Sequence, residues 1–227
     1  SIQRVTYPAL ASIQTDNTRL KAGYKKIVVL MTMILYPTIL FIVALAEPIF
    51  QLLLTEKWQS AVPYFQLLCI ATLMIPLHSI NLNILKVKGR SDLFLYLEIL
   101  KKSLGGVVLL ISYRYGIYAI LLGQVITSII NYIPNSYFSK RLLGYGIKEQ
   151  VSDFLPTLII SFISSTIGFI AIKMIDGHPS VIILFGVLVM TLVWLVLNAL
   201  LNREKLRITV DYILKYFPLR KFNQFDL

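Results

Sequence analysis

Three charged residues stand where an apolar helix is otherwise continuous. The stretch KGRSDLFLYLEILKK, residues 88–102, carries Glu98, Lys101 and Lys102 inside a segment long enough to cross a bilayer. Each unpaired charge at mid-membrane costs at least ~2.5–3.5 kcal/mol on insertion scales, so a pathway or a partner is the default reading. Glu98 and Lys102 are spaced i, i+4 with the acid first, the favourable order for an ion pair. Chemically, Lys101 and Lys102, with Arg90 at the mouth, would supply cations for an anionic group, and Glu98 would hold the lysines or accept a proton. A second reading stays open, in which residues 86–100 lie along the interface and the lysines reach outward.

A second constellation lies further along. Gln124, Thr127, Ser128, Asn131 and Asn135 fall on one stripe of a 3.6-residue period. Two roles fit: lining a hydrophilic cavity, for which Gln124 and Asn131 are the candidates, or hydrogen bonding between helices. Thr157, Ser161, Ser164, Ser165 and Gly168 share another face, but these are small, and close helix approach is their better explanation.

No catalytic pattern accompanies them. HExxH, Walker A and GxSxG motifs are absent, His78 and His178 are isolated, and the single Cys69 permits no disulfide within the chain. An isolated His near an apolar span is expected to be packed and satisfied rather than a ligand. The sequence therefore suggests neither an enzyme nor a metal or other cofactor.

The elements that must position these residues are membrane helices. Of 227 residues, 57% are hydrophobic and only 15% charged, and mean hydropathy is +0.74. A soluble domain would be nearer ~25% charged, so there is too much apolar surface for one water-soluble core. The expected fold is an all-α membrane protein with about six spans, each ~20 residues to cross ~30 Å of hydrocarbon. They are placed at about 27–46, 61–80, 93–113, 116–136, 154–175 and 180–201. Pro37 is expected to kink the first span.

Residues 1–26 then form a polar, basic cytoplasmic loop, with no early apolar region of a signal peptide. Residues 202–227 form a basic amphipathic cytoplasmic tail whose helix ends by Pro218. Seventeen of the 22 Lys and Arg fall on the side of both termini and three on the other, which places both termini in the cytoplasm. The same rule accounts for the net charge of +11 without nucleic acid, since the basic residues are not interleaved with a stacking platform.

Three stretches carry a family resemblance. KGRSDLFLYLEILKK, YPALASIQTDNTRLKAGYKK and AEPIFQLLLTEKWQSAVPYFQLLCI, together spanning residues 4–102, resemble segments of bacterial polysaccharide-export flippases. These are the Wzx or teichuronic-acid-exporter branch of the MATE-like multidrug/oligosaccharidyl-lipid/polysaccharide exporters. The resemblance implies two lobes of helices around a central cavity, working by alternating access, in a bacterial cytoplasmic membrane. This chain would be the C-terminal portion, part of the second lobe, with a missing N-terminal lobe of the same protein as its partner. Its substrate would be an oligosaccharide repeat unit on a polyprenyl pyrophosphate carrier, met among membrane lipid. Two alternatives accompany this reading: a multidrug cation antiporter of the same superfamily, and a non-transporting truncated remnant. A cationic drug would favour an acid-rich cavity, whereas the span-embedded acid here stands beside two lysines.

Overall fold

The computed structural model describes residues 7, 8, 10–54 and 56–216, and these are helical with no strand among them. Pro218, Arg220 and Lys221 of the expected tail, and Arg4 of the expected loop, lie outside the described residues.

Helix α1 spans Asn17–Ala44. Asp16 caps it, accepting from the backbone N–H groups of Thr18 and Arg19 at 2.9 and 3.1 Å, which satisfies donors that the first turn leaves open. The helix thus starts ten residues before the span expected at 27, because this cap, rather than the onset of hydrophobicity, sets its beginning. Residues 17–26 are helix, not loop. Pro37 lies inside α1 without ending it.

Helix α2, Ala46–Leu53, is short. A 3-10 turn at Glu56–Ala61 leads into α3, Val62–Thr72, and α4, Ile75–Val87. The second span is therefore two helices broken at Leu73 and Met74. Pro76 sits in the first turn of α4, where its missing N–H would have been unsatisfied in any case. Helix α5 is Ser91–Ser112, α6 Ile117–Leu143, α7 Ile147–Ile172, α8 Pro179–Leu201 and α9 Arg203–Tyr216. Among the described residues, five segments are long and apolar enough to cross a membrane: α1, residues 56–87, α6, α7 and α8. Helix α5 has the length, ~33 Å at 1.5 Å per residue. Glu98, Lys101 and Lys102 make it too charged to rank with them.

Packing shows which way each helix runs. Lys21 Nζ donates to the Gly144 carbonyl and to Glu149, Lys88 Nζ to Asn17 Oδ1, and Lys205 Nζ to the Asp153 carbonyl. The start of α1, the α4–α5 turn, the α6–α7 turn and the start of α9 therefore meet at one end of the bundle. Lys173 Nζ and Glu47 Oε2, 2.6 Å apart, tie α7 to α2 at the other end. Helix α5 leaves the first end and α6 returns to it, so α5 runs the height of the bundle rather than lying across one end.

Near the basic end a buried polar clasp joins four helices. Tyr24 on α1 donates to Asn81 Oδ1 on α4 at 2.7 Å, and Asn81 Nδ2 donates to Gln150 Oε1 on α7 at 3.0 Å. Tyr132 on α6 donates to the same Gln150 oxygen at 2.6 Å, while Ser139 donates to Asn81. Such groups are tolerable in an apolar interior because each finds partners. Gly144, at φ 66°, ends α6 in the left-handed conformation that glycine adopts without a Cβ clash.

Helix α7 packs along α1 on one side and α8 on the other. Thr157, Ser161 and Ser164 are fully buried, and Ser161 accepts from Trp194 Nε1 of α8 at 3.1 Å. A Cβ at Gly168 would lie 2.2 Å from Met190 Cγ. The small-residue face expected from the sequence is thus a close helix contact.

Candidate functional site

A groove of about 410 Å³ opens between α4, α5 and α6. Its polar lining is His78 from α4, Lys101 from α5, and Gln124, Thr127, Ser128 and Asn131 from α6. Gly105, Val108, Leu109 and Ile120 supply its apolar wall. Helices α5 and α6 run antiparallel, with Val108 against Gly123. Lys101 therefore meets the middle of α6, ten residues into α5, or ~15 Å from its start.

The lysine is oriented from behind. Lys101 Nζ donates to Glu98 Oε1 three residues earlier, and its side chain is 15% exposed against 29% for Glu98. Lys101 lines the groove and its carboxylate partner does not; an ammonium has three donors, and Glu98 takes one of them. The pairing expected from sequence, Glu98 with Lys102, is not the one formed. A helix turns about 100° per residue, and only Lys101 swings towards α6. Lys102 is exposed on the outer side of α5.

Arg90 is elsewhere. It stands at the exposed N-terminal end of α5, where Nε and Nη2 bind the two carboxylate oxygens of Asp92 at 2.9 and 2.7 Å. That bidentate pair holds the Asp92 carboxyl down at about 2. Arg90 lies eleven residues, about 16 Å along the helix, from Lys101 and contributes nothing to the groove.

His78, expected to be merely packed, is both satisfied and part of the lining. Its Nε2 lies 3.0 Å from the Ser128 carbonyl oxygen and its Nδ1 2.8 Å from Asn135 Nδ2. A carbonyl only accepts and an amide nitrogen only donates, so Nε2 carries the proton and Nδ1 accepts. Asn135 is therefore not groove lining but a partner of the histidine one turn below. The polar stripe of α6 is thus divided between the groove lining and a contact across helices. Gln124, exposed, and Asn131, buried, line the groove, and Asn135 bonds across helices. The one signal for His78 in the sequence was its position in an apolar segment, which says nothing of a partner 57 residues away. Among the described residues, no group of three or more His, Cys, Asp or Glu could hold a metal.

Comparisons with known proteins show what the chain as a whole resembles. A family described as "Polysaccharide biosynthesis protein" matches residues 1–63. Over 171 residues the chain is 29% identical to the lipopolysaccharide biosynthesis protein WzxC of Escherichia coli K12, covering 71% of this chain and 35% of that one. It is 25% identical over 172 residues to the teichuronic acid biosynthesis protein TuaB of Bacillus subtilis 168, covering 75% and 35%. An uncharacterized membrane protein in the cps region of Klebsiella pneumoniae is 30% identical over 155 residues, covering 67% and 32%. The chain thus spans about a third of the length of the curated relatives it matches. No solved structure matches it. The resemblance read from residues 4–102 is borne out: this chain is an all-α membrane protein similar to the polysaccharide biosynthesis proteins of the Wzx and teichuronic-acid branch.

Proposed function

We propose that the chain is the C-terminal part of a flippase that carries lipid-linked oligosaccharide repeat units across the bacterial cytoplasmic membrane by alternating access. Its partner is an N-terminal lobe of the same protein. The observation that carries this reading is Lys101, a half-buried cation at mid-height of the bundle, which lines a groove together with Gln124, Ser128 and Asn131. A pyrophosphate-linked carrier presents an anion that must leave water to cross, and ammonium and amide donors at mid-height replace part of its hydration. Lys102, exposed one residue later, faces outward from α5, where the other lobe would enclose a path. The groove is not suited to a cationic drug, because its nearest carboxylate, Glu98, is already neutralised by Lys101. The basic end of the bundle is assigned to the cytoplasm, since Lys and Arg are retained on that side.

The test is Lys101→Ala in the full-length protein, with surface polysaccharide export measured at matched membrane levels. The loss of a charge-assisted hydrogen bond, about 1.5–3 kcal/mol, predicts export lower by about 10- to 100-fold at limiting substrate. Undiminished export would overturn the assignment of the groove.

A further inference from the structure

The amide of Asn135 is 1% exposed, yet only one of its two ends is used. Its Nδ2 meets His78 Nδ1, while its Oδ1 is buried without a hydrogen-bond partner. Rotating the amide by 180° would bring Oδ1 to the ring and leave Nδ2 in that same space. Each orientation therefore meets the ring with one end, and the ring's own protonation decides between them. A neutral His78 with its proton on Nε2 needs a donor at Nδ1, and Asn135 Nδ2 is that donor. An imidazolium, which donates from both nitrogens, needs an acceptor there, and Oδ1 is that acceptor. The Ser128 carbonyl serves Nε2–H in both states.

We infer that His78 is the second cation of the groove's anion site, taking up a proton as the anion binds while Asn135 turns its amide to accept the new N–H. This rests on the reading of the groove as a site for a phosphate-type anion. Lys101 shares its charge with Glu98, so a pyrophosphate, carrying more than one negative charge, is under-compensated by the lysine alone. On α5, Lys101 lines the same groove as the ring, and Glu98 pairs with the lysine. From α6, Tyr132 lies edge-on at 6.3 Å between ring centroids. From α3, the Ala71 carbonyl accepts from Ser128 Oγ. Two cations on facing helices repel, and an anion between them attracts both. Proton uptake and anion binding are then linked, each favouring the other. Both ring nitrogens remain engaged by protein partners, so the ring contributes charge rather than a direct hydrogen bond. His78 is in this sense a positioning residue for the anion's charge.

The test uses the purified full-length protein and inorganic pyrophosphate, titrated calorimetrically in buffers of different ionisation enthalpy. The wild type is expected to take up close to one more proton per pyrophosphate than His78→Gln, with an affinity gain approaching but not exceeding about tenfold per pH unit as pH falls. Asn135→Leu, which removes the acceptor but leaves the lysine, is expected to bind without the extra proton. Equal proton uptake in wild type and His78→Gln, with binding retained, would overturn this inference and leave the Lys101 site standing. Absence of pyrophosphate binding in the wild type would remove both. A fold-independent readout is the nitrogen-15 spectrum of labelled histidine, with His78→Gln identifying the signal. The Nε2–H tautomer at about pH 8 should give way to imidazolium when pyrophosphate is added near pH 6. A ring that stays neutral there would overturn the inference.

Discussion

Lys101 and Glu98 pair across one turn of α5, and only the lysine of that pair reaches the groove. Pairing lowers the cost of burying both groups, so an effect of Lys101→Ala could arise from a stranded carboxylate. Exchanging the two residues separates the roles. Glu98→Lys with Lys101→Glu retains an i, i+3 pair but turns a carboxylate towards Gln124 and Asn131. Membrane levels near wild type are expected, with export as low as in Lys101→Ala. Export restored by the exchange would show that the pair matters only for the helix.

Asn81 is the hub of the clasp near the basic end, receiving Tyr24 and Ser139 on one oxygen and donating to Gln150 and to the Leu77 carbonyl. Asn81→Leu would leave the buried hydroxyls of Tyr24 and Ser139 without this acceptor. Each stranded group costs about 1–3 kcal/mol. A clear fall in the unfolding temperature of the detergent-solubilised protein is expected, and it should exceed that of Gln124→Leu, whose side chain is exposed on the groove. Equal stability of the two variants would contradict the clasp.

Gly168 of α7 meets Met190 of α8, and an added Cβ would fall 2.2 Å from Met190 Cγ and 2.7 Å from its Cε. Gly168→Ala should destabilise by about 1–3 kcal/mol through overpacking. Met190→Ala should cost about 2–5 kcal/mol through the cavity it leaves. Together the two should cost less than the sum, since each makes room for the other's defect. Thermal unfolding of the three variants provides the measurement, and strict additivity would exclude the contact.

How far the sequence reached depends on the range of the interaction involved. Hydropathy is local, so the spans of α6 and α8 and the small-residue face of α7 were legible. The start of α1 was missed because a single side-chain cap at Asp16 sets it ten residues ahead of the apolar run, in a mostly polar stretch that is still compatible with helix. The break at Leu73 and Met74 was hidden because both residues are apolar, and Pro76 alone did not say whether it would kink a helix or begin one. Within the groove, the stripe Gln124 to Asn131 followed from periodicity. The choice of Lys101 over Lys102 did not, because adjacent residues differ by 100° and only the position of α6 decides which faces inward. His78 with Asn135, and Asn81 with Gln150, are contacts between distant segments that no local pattern encodes.

The orientation of the bundle can be settled by labelling. Lys21, Lys88, Glu149 and Lys205 lie at one end, as their bonds to Gly144, Asn17, Lys21 and Asp153 require. Glu47 and Lys173 pair at the other. Asp176, just beyond Lys173, and Lys148, beside Glu149, are both exposed. They therefore report the two ends independently. With Cys69→Ser removing the native thiol, a cysteine introduced by Asp176→Cys should react with a membrane-impermeant maleimide in intact cells. One introduced by Lys148→Cys should react only after the membrane is opened. The reverse pattern would invert the assignment made from the basic residues. Labelling of both sites in intact cells would mean that the two ends are not on opposite sides of a membrane. That result would contradict the alternation of helices on which the depth of Lys101 rests.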